Sequence, residues 1–416
     1  MLVKNLPYTD ISEVFDRFNE LYGATDESQK VRYTRLFEKF KETFGENSAY
    51  VASSSGRVEV CGNHTDHNGG KVVSLSISLD TLAMFRETGD GIITVISEGY
   101  PEIKLDLNDD SQIIEKGTSA ALVKGVAEGL KNKGYNVGGF NAVLTSNVLG
   151  GAGISSSASF EVLIAEILNF LYNNGEVTCQ EKAQVSQYAE NVYFGKPCGL
   201  LDQTAIAYGG LRKLDFANLE SIFVSDVKCD ISDYNFILIN TGGSHADLTD
   251  EYASIPKEMK EVANALGKDR LIDVGESEFY NRLAEVQDKV SDRAILRSIH
   301  FFEENDRVDT LENALKINDY DSFIKAINES GNSSMTKLQN CYVSGRVGQP
   351  IPKAISIAKR FLPNGAVRVH GGGFAGCILC VAKTDETDTF IKNMKKFYQE
   401  DSIIPLRVRS VGAIVL

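Results

Sequence analysis

Proline is scarce in this chain, with eight residues among 416, whereas glycine is plentiful at 36. Proline-rich linkers are thus excluded, and the glycines point to several places where the backbone needs freedom that other residues lack. Basic side chains are in deficit too: 43 Lys and Arg face 57 Asp and Glu, for a formal net charge of −14. No basic stripe offsets that charge, so nucleic acid and anionic membrane surfaces are excluded as partners. A nucleotide is not excluded, because backbone N–H groups and Mg²⁺ hold phosphates locally even in an acidic protein. The seven cysteines form no paired CxxC frame. Cys377 and Cys380 do make one CxxC inside the apolar run 376–382. In a strand that spacing sends the thiols to opposite faces, which favours burial over redox or metal chemistry. No apolar run reaches the roughly 18 residues of a membrane span, and Met1–Pro7 has no signal-peptide core, so a cytoplasmic location is expected.

The length exceeds what one hydrophobic core usually fills, so two domains are expected. Asp10 and Glu13 open a helix that stops near Gly23, and a second helix runs from about Gln29 to Phe44, with Gly45 beyond its end. From Ala49 the pattern turns to strands. Val73, Leu75, Ile77 and Leu79 alternate with Ser74, Ser76 and Ser78, a period of two. Further strands are expected over 91–96 and 140–145, and helices over 120–131, 156–172 and 179–192. Strands followed by helices on one face give an α+β layout. Near residue 215 the pattern restarts: a strand over 236–240, helices over 248–266, 276–297 and 351–361, a helix pair over 309–330, and strands over 366–370, 376–381 and 407–416. The two domains are accordingly expected to be 1–215 and 216–416.

Three glycine-bearing segments carry chemistry. Gly150-Gly-Ala-Gly-Ile-Ser-Ser-Ser-Ala-Ser159 feeds directly into a helix. Small residues let the backbone approach a ligand, and the serines put hydroxyls at a helix N-terminus that attracts anions. A tight helix entry with serine caps would use the same residues. In Gly56-Arg-Val-Glu-Val-Cys-Gly-Asn-His-Thr-Asp-His-Asn-Gly-Gly70, short polar side chains crowd a turn after a strand, as reading a polyol requires. An Asx-turn satisfying its own backbone is the alternative. No further His or Cys stands at ligand spacing from His64 and His67, so zinc is not expected. The third, Val369-His-Gly-Gly-Gly-Phe-Ala-Gly376, allows either close approach to a ligand or a plain strand-to-strand turn.

In this order and spacing the segments resemble those of the GHMP small-molecule kinases, and among them the galactokinases. That family's Gly-Arg-Val…Gly-Glu-His-Thr-Asp-Tyr-Asn-x-Gly stretch is matched by 56–70, and its Gly-x-Gly-Leu-Ser-Ser-Ser-Ala-Ser loop by 151–159. Its Cys-Gly-x-x-Asp-Gln segment is matched by Cys198–Gln203 and its late glycine motif by 371–376. The resemblance covers about residue 30 to the C-terminus. It implies a ribosomal-protein-S5-like N-terminal domain and a ferredoxin-like C-terminal domain. It also implies ATP and Mg²⁺ as cofactors, with Gly150, Gly151, Gly153, Ser155, Ser156 and Ser157 around the phosphates. By the same resemblance Ser157 and Glu190 are Mg²⁺ ligands, and Asp202 is the base, with Arg57 beside it. Asn63, His64, Asp66, Gly199 and Tyr252 would form the sugar pocket, the Tyr252 match requiring a one-residue gap. Taken without the resemblance, Glu190 reads as a solvated helix face. A monomer is expected, and the adenine is looked for near 79–85.

Four positions depart from the family pattern: Ser55 for proline, Asn63 for glutamate, His67 for tyrosine and His370 for threonine or a similar residue. In the family the glutamate contacts the sugar near C6. An amide there can bind a C6 hydroxyl and would also tolerate a C6 carboxylate. Phosphorylation of the anomeric hydroxyl of galactose is therefore the expected activity, with galacturonate or N-acetylgalactosamine as alternative sugars. A non-catalytic sugar sensor is the alternative of another class. Such relatives lack the Ser-Ala pair of the phosphate loop, which is present here as Ser157-Ala158.

Overall fold

The computed structural model describes residues 6–23, 27–109, 111–148, 150, 153–242 and 248–416. Asp10 accepts from the backbone N of Ser12 at 2.9 Å and starts a 3₁₀ segment that leads into α1 (Phe18–Tyr22). Helix α2 (Glu27–Phe44) buries Tyr33, Leu36, Phe37 and Phe40, the one-sided spacing of an amphipathic helix. Strands β1 (Tyr50–Cys61), β2 (Lys71–Glu87), β3 (Ile92–Ser97), β4 (Ile103–Asp106), β5 (Phe140–Ser146), β6 (Leu211–Asp215) and β7 (Phe223–Asp226) join one sheet. It runs β1-β2-β5-β3-β4, with β6 on the first half of β2, β7 on β6, and Ile414–Val415 pairing the outer edge of β1. Among the described residues, β3 and β5 alone pair in parallel. Helices α3 (Ser119–Asn132), α4 (Ser156–Tyr172) and α5 (Cys179–Tyr188) cover one face, packing Val126, Leu130, Ile164 and Ile167 on Phe85, Val95 and Leu144. Helix α6 (Leu201–Tyr208) follows.

The second half carries β8 (Tyr234–Asn240), then α7 (Thr249–Ala265), α8 (Leu271–Val274), α9 (Glu276–Val286), α10 (Asp292–Lys316) and α11 (Tyr320–Ser333). It continues with α12 (Pro350–Phe361), β9 (Ala366–Val369), β10 (Cys377–Lys383), α13 (Thr384–Met394) and β11 (Ile403–Leu406). The four strands form an antiparallel sheet in the order β11-β8-β10-β9. Helices α12 and α13 cover its outer face. Its inner face, with α10 and α11, meets the first sheet: Leu238, Leu379, Val308, Leu311 and Ile327 pack in one cluster with Val58, Leu75 and Ile77. The halves thus share a continuous apolar layer. Cys377 belongs to that layer and Cys380 to the opposite one, the two-faced placement expected of the CxxC strand.

Several boundaries differ from those read in the sequence. The division expected at 215/216 falls inside the β6–β7 hairpin, because β7 stays on the first sheet. The expected closing strand over 407–416 reduces to Ile414–Val415, which returns to β1. The helix expected over 276–297 is interrupted between α9 and α10, where Ser291 caps the new helix through Ala294 N at 3.1 Å. The stretch 79–85, where the adenine is looked for, lies inside β2, with Leu82 to Phe85 fully buried and Leu79 partly exposed.

Asp80 of β2 ties both ends of the chain to the sheet. It is fully buried and accepts from Arg32 Nη1 of α2 at 2.5 Å, from Tyr22 OH at 2.8 Å, and from Ser53. Arg409, also fully buried, places Nη1 3.6 Å from the same carboxylate and bonds Ser53 Oγ at 2.7 Å. Asp80→Ala leaves two guanidinium groups inside the protein without their counter-ion. It is expected to cost about 3–5 kcal/mol in urea unfolding. A loss below about 1 kcal/mol would reduce the cluster to surface-like worth.

Candidate active site

Strand β1 pairs β2 with a register shift between Ser55 and Arg57. Such a bulge turns a side chain away from its regular direction. Here it delivers the Arg57 guanidinium to two other segments. Nε and Nη2 lie 2.9 and 2.6 Å from Asp202 Oδ1, and Nη1 bonds the carbonyl of Gly153 at 2.5 Å. Asp202 stands in the first turn of α6, and its other oxygen accepts from the hydroxyl of Ser155. Burial pushes the Asp202 carboxyl up, but the Arg57 charge and the Ser155 hydrogen bond outweigh it and hold the group below its ordinary value. An ionised carboxylate, about one third exposed, therefore faces the start of α4.

Ser155 occupies the N-cap position of α4 in the left-handed region, φ 65° and ψ 55°, and makes no side-chain cap. Its hydroxyl is spent on Asp202, so the N-terminal N–H groups of α4 keep no cap from it. Ser156 begins the helix. Ser157 donates to Glu190 Oε1 at 3.2 Å. Glu190 lies in a π-helical turn, Ala189–Phe194, where the sequence pattern had suggested a plain continuation of α5. That widened turn seats the carboxylate inward, only 3% exposed, instead of on a solvated helix face. Gln203 Nε2 holds Glu190 Oε2 at 3.1 Å and Glu161 Oε2 at 3.2 Å. Burial, then the charge of Glu190, pushes the Glu161 carboxyl well above its ordinary value. Gly150 sits at a turn with open space beside it, and Gly151 lies outside the described residues.

The turn after β1 closes on itself, with Thr65 Oγ bonding Gly62 O at 2.9 Å and Lys71 O at 2.7 Å. It presents Asp66 against Gly199: a Cβ on that glycine would lie 1.9 Å from Asp66 Oδ2, so no other residue fits there. Gly199 also precedes Asp202 in the chain, which brings Asp66 to the same cleft. His67 Nε2 stands 3.7 Å from Asp66 Oδ1. His64, with φ 59°, places Nε2 3.0 Å from the carbonyl of Gly372. Burial, then His67, takes its imidazole down to about 4, so it is neutral at pH 7. Gly372 in turn lies under the ring of Tyr252, where a Cβ would come within 2.4 Å of the ring edge, and Tyr252 OH donates to Gly373 O at 2.7 Å. The polar turn, the late glycine loop and Tyr252 are one structure.

Asn63 does not take the position expected of it. Its side chain is fully buried and its amide is closed at both ends. Nδ2 donates to Glu59 Oε1 and Gly371 O, each at 2.9 Å, while Oδ1 accepts from Asn340 Nδ2 at 2.8 Å and Ser334 Oγ at 3.3 Å. No polar atom is left for a sugar, because the seam with the second half uses all of them.

The groups that hold this turn from behind come from α10, far from it in the chain. Glu304 of α10 is fully buried and accepts from Gly62 N at 3.0 Å and Asn63 N at 3.3 Å, as well as from Ser330 and Arg307. One helical turn earlier, His300 places Nε2 2.9 Å from Asn63 O. Their signal was present but faint: His300 and Glu304 share the core-facing stripe of Arg297, Phe301 and Val308, where a charged residue needs a partner. Burial opposes the charge of Glu304. His300, Arg307, Arg368 and the Ser330 hydroxyl overcome it and bring the carboxyl down to about 2. A depressed folded value means that the stabilisation is complete above the unfolded value of 4.5 and disappears as pH falls from there towards 2. Glu304→Gln is expected to flatten the wild-type loss of stability in that window. A pH–stability profile of the variant that keeps the wild-type slope between 4.5 and 2 would remove Glu304 from that loss.

The chain is similar to known proteins over most of its length. The galactokinase galactose-binding signature matches residues 38–87, and the GHMP kinases N terminal domain matches 121–210. The galactokinase of Clostridium acetobutylicum is 30% identical over 374 residues, covering 88% of this chain and 93% of that protein. That of Clostridium tetani is 29% identical over 372 residues, covering 88% and 92%. The crystal structure of Lactococcus lactis galactokinase complexed with galactose superposes with a TM-score of 0.81 at 27% identity, covering 92% of this chain and 99% of that one. The Methanococcus jannaschii mevalonate kinase shares the fold at 17% identity, with a TM-score of 0.63 over 87% of this chain and 99% of that one. At 30% identity over 88% of its length, and with both family signatures matched, this chain belongs to the galactokinase family of the GHMP kinases.

Proposed function

We propose that this enzyme transfers the γ-phosphoryl group of ATP to the anomeric hydroxyl of galactose, giving galactose 1-phosphate and ADP. The observation that carries the proposal is the meeting of Arg57, Gly153, Ser155 and Asp202 in one hydrogen-bonded set beside Asp66 and Gly199. A carboxylate for the attacking hydroxyl, a helix entry for the phosphates and a polar turn for the sugar stand together, as phosphoryl transfer requires.

In this reading Asp66 accepts from sugar hydroxyls, and His64 and Tyr252 bound the pocket. The sugar's C1 oxygen attacks the γ-phosphorus, its proton passes to Asp202, and the bond from the γ-phosphorus to the bridging oxygen breaks. ADP leaves with that electron pair. Arg57 keeps Asp202 ionised and weakly basic, which suits a loose transition state in which the proton leaves late. Gly150, Gly151, Gly153, Ser155 and Ser156 line the phosphates, with the N-terminal N–H groups of α4 as donors.

For Mg²⁺ the donor set fits: the Ser157 hydroxyl and the Glu190 carboxylate are hard oxygens 3.2 Å apart, with Glu190 buried and held by Gln203. They would hold the ion together with phosphate oxygens and water, and the ion would neutralise charge on the β- and γ-phosphates. Galactose is favoured over galacturonate, since the closed amide of Asn63 no longer supports a C6 carboxylate. Residues Ser157 and Ala158, present in α4, speak against a silent sensor.

Asp202→Asn is expected to lower kcat for galactose by about a thousandfold while the affinity for magnesium–ATP stays within about threefold. Coupled ADP release and nucleotide titration measure the two. A variant retaining turnover within about tenfold of wild type would remove Asp202 from the chemistry.

A further inference from the structure

One cation stands in this cleft that neither the sugar site nor the base accounts for. Arg57 is already committed, all three of its side-chain nitrogens facing Asp202 or Gly153. Lys196 is not. It follows the π-helical turn of Glu190, and its own backbone N–H bonds the Glu190 carbonyl at 3.0 Å, so its stem starts beside that residue. Its Nζ lies 3.0 Å from Glu190 Oε1, the same oxygen that accepts from Ser157 at 3.2 Å. The lysine side chain is 63% exposed, against 4% for Glu190. Its charge also reaches Asp202 and Glu161.

An ammonium has three donors on a flexible stem, and among the described residues Glu190 is the partner recorded for them. An ion pair with so exposed a lysine is weak, so exchanging it for another anion costs little. A phosphate oxygen offers a stronger, charge-assisted partner. The expected metal position between Ser157 and Glu190 uses the oxygen that Lys196 now holds, and lysine must then turn elsewhere. We infer that Lys196 is a further phosphate-binding residue, whose ammonium moves from Glu190 to the γ-phosphate of bound ATP. The inference rests on the kinase activity proposed above and adds to it a residue that tells triphosphate from diphosphate.

The test is calorimetric titration of wild type, Lys196→Gln and Lys196→Arg with magnesium-loaded AMP-PNP and, separately, ADP. Lys196→Gln is expected to weaken AMP-PNP about tenfold and ADP by less than about twofold, with galactose affinity unchanged and Lys196→Arg close to wild type. An unchanged preference for AMP-PNP over ADP in Lys196→Gln overturns the inference. So does tighter binding of AMP-PNP, the outcome if the lysine only competes with the metal for Glu190. Wild-type protein that binds neither nucleotide would overturn the kinase activity as well, and that failure is recognised before any substitution is made.

Discussion

The contact between the Arg57 guanidinium, the Asp202 carboxylate and the Gly153 carbonyl sets the geometry of the whole cleft. A planar fork can serve two acceptors from separate segments at fixed angles, which a lysine ammonium cannot do with the same precision of direction. Gly56 makes that reach possible, because a Cβ there would lie 2.9 Å from the Ile154 carbonyl, and Arg57 N bonds that same carbonyl at 3.3 Å. Strand β1 and the entry to α4 are thereby locked together. Their electrostatics are locked with them: the cation that gathers the segments also fixes the protonation state of Asp202.

The second half supports this arrangement from behind. Glu304 and His300 of α10 grip the Gly62–Asn63 backbone, and the buried Arg368 of β9 bonds Glu59 at 2.9 Å and the Val60 carbonyl at 2.9 Å. Lys71 and Lys213 meet Asp309 at 2.6 Å each, at the rim of the same seam. Half-buried pairs at the rim contribute less than a fully buried carboxylate receiving two backbone donors, which is costly to disturb. The rigidity of the sugar turn therefore depends on the interior polar network laid over the shared apolar layer, more than on the ion pairs at its edge.

Local chemistry was legible in the sequence and long-range chemistry was not. The bounds of α4 follow from the serine entry and a run of Ala, Leu, Ile and Phe, and the strand character of β2 from its serine alternation. Both are period and capping signals carried within a few residues. The left-handed Ser155 and its bond to Asp202 belong to a tertiary contact 47 residues apart, for which a serine triplet carries no mark. The π-helical turn at 189–194 overlaps the helix expected over 179–192, because one extra residue per turn does not break an apolar stripe, whereas the one at 334–338 lies beyond the helix pair expected to end at 330. Yet each brings a polar group to the cleft or its seam, Glu190 in one and Ser334 in the other. The β7 and 414–415 pairings were hidden for a related reason: which sheet a short strand joins is decided by partners far away in the chain.

The departure at Asn63 can be derived from its surroundings. The Glu59 carboxylate and the Gly371 carbonyl, both acceptors, flank its Nδ2, and Asn340 Nδ2 donates to its Oδ1. A glutamate in that place would set its own oxygens against two acceptors and add a second buried negative charge beside Glu59, whose carboxyl burial already pushes up. Only an amide supplies donors on one side and an acceptor on the other. His370 departs from the family pattern in the same seam, its Nε2 3.1 Å from the Gly153 carbonyl that Arg57 also holds, and burial keeps it neutral at pH 7. The two substitutions are thus parts of one adjustment: the late glycine loop is tied to the sugar strand through Asn63 and to the phosphate entry through His370. Their consequence is a change in how the halves of the molecule are fastened together, with both polar ends of the Asn63 amide used in the seam.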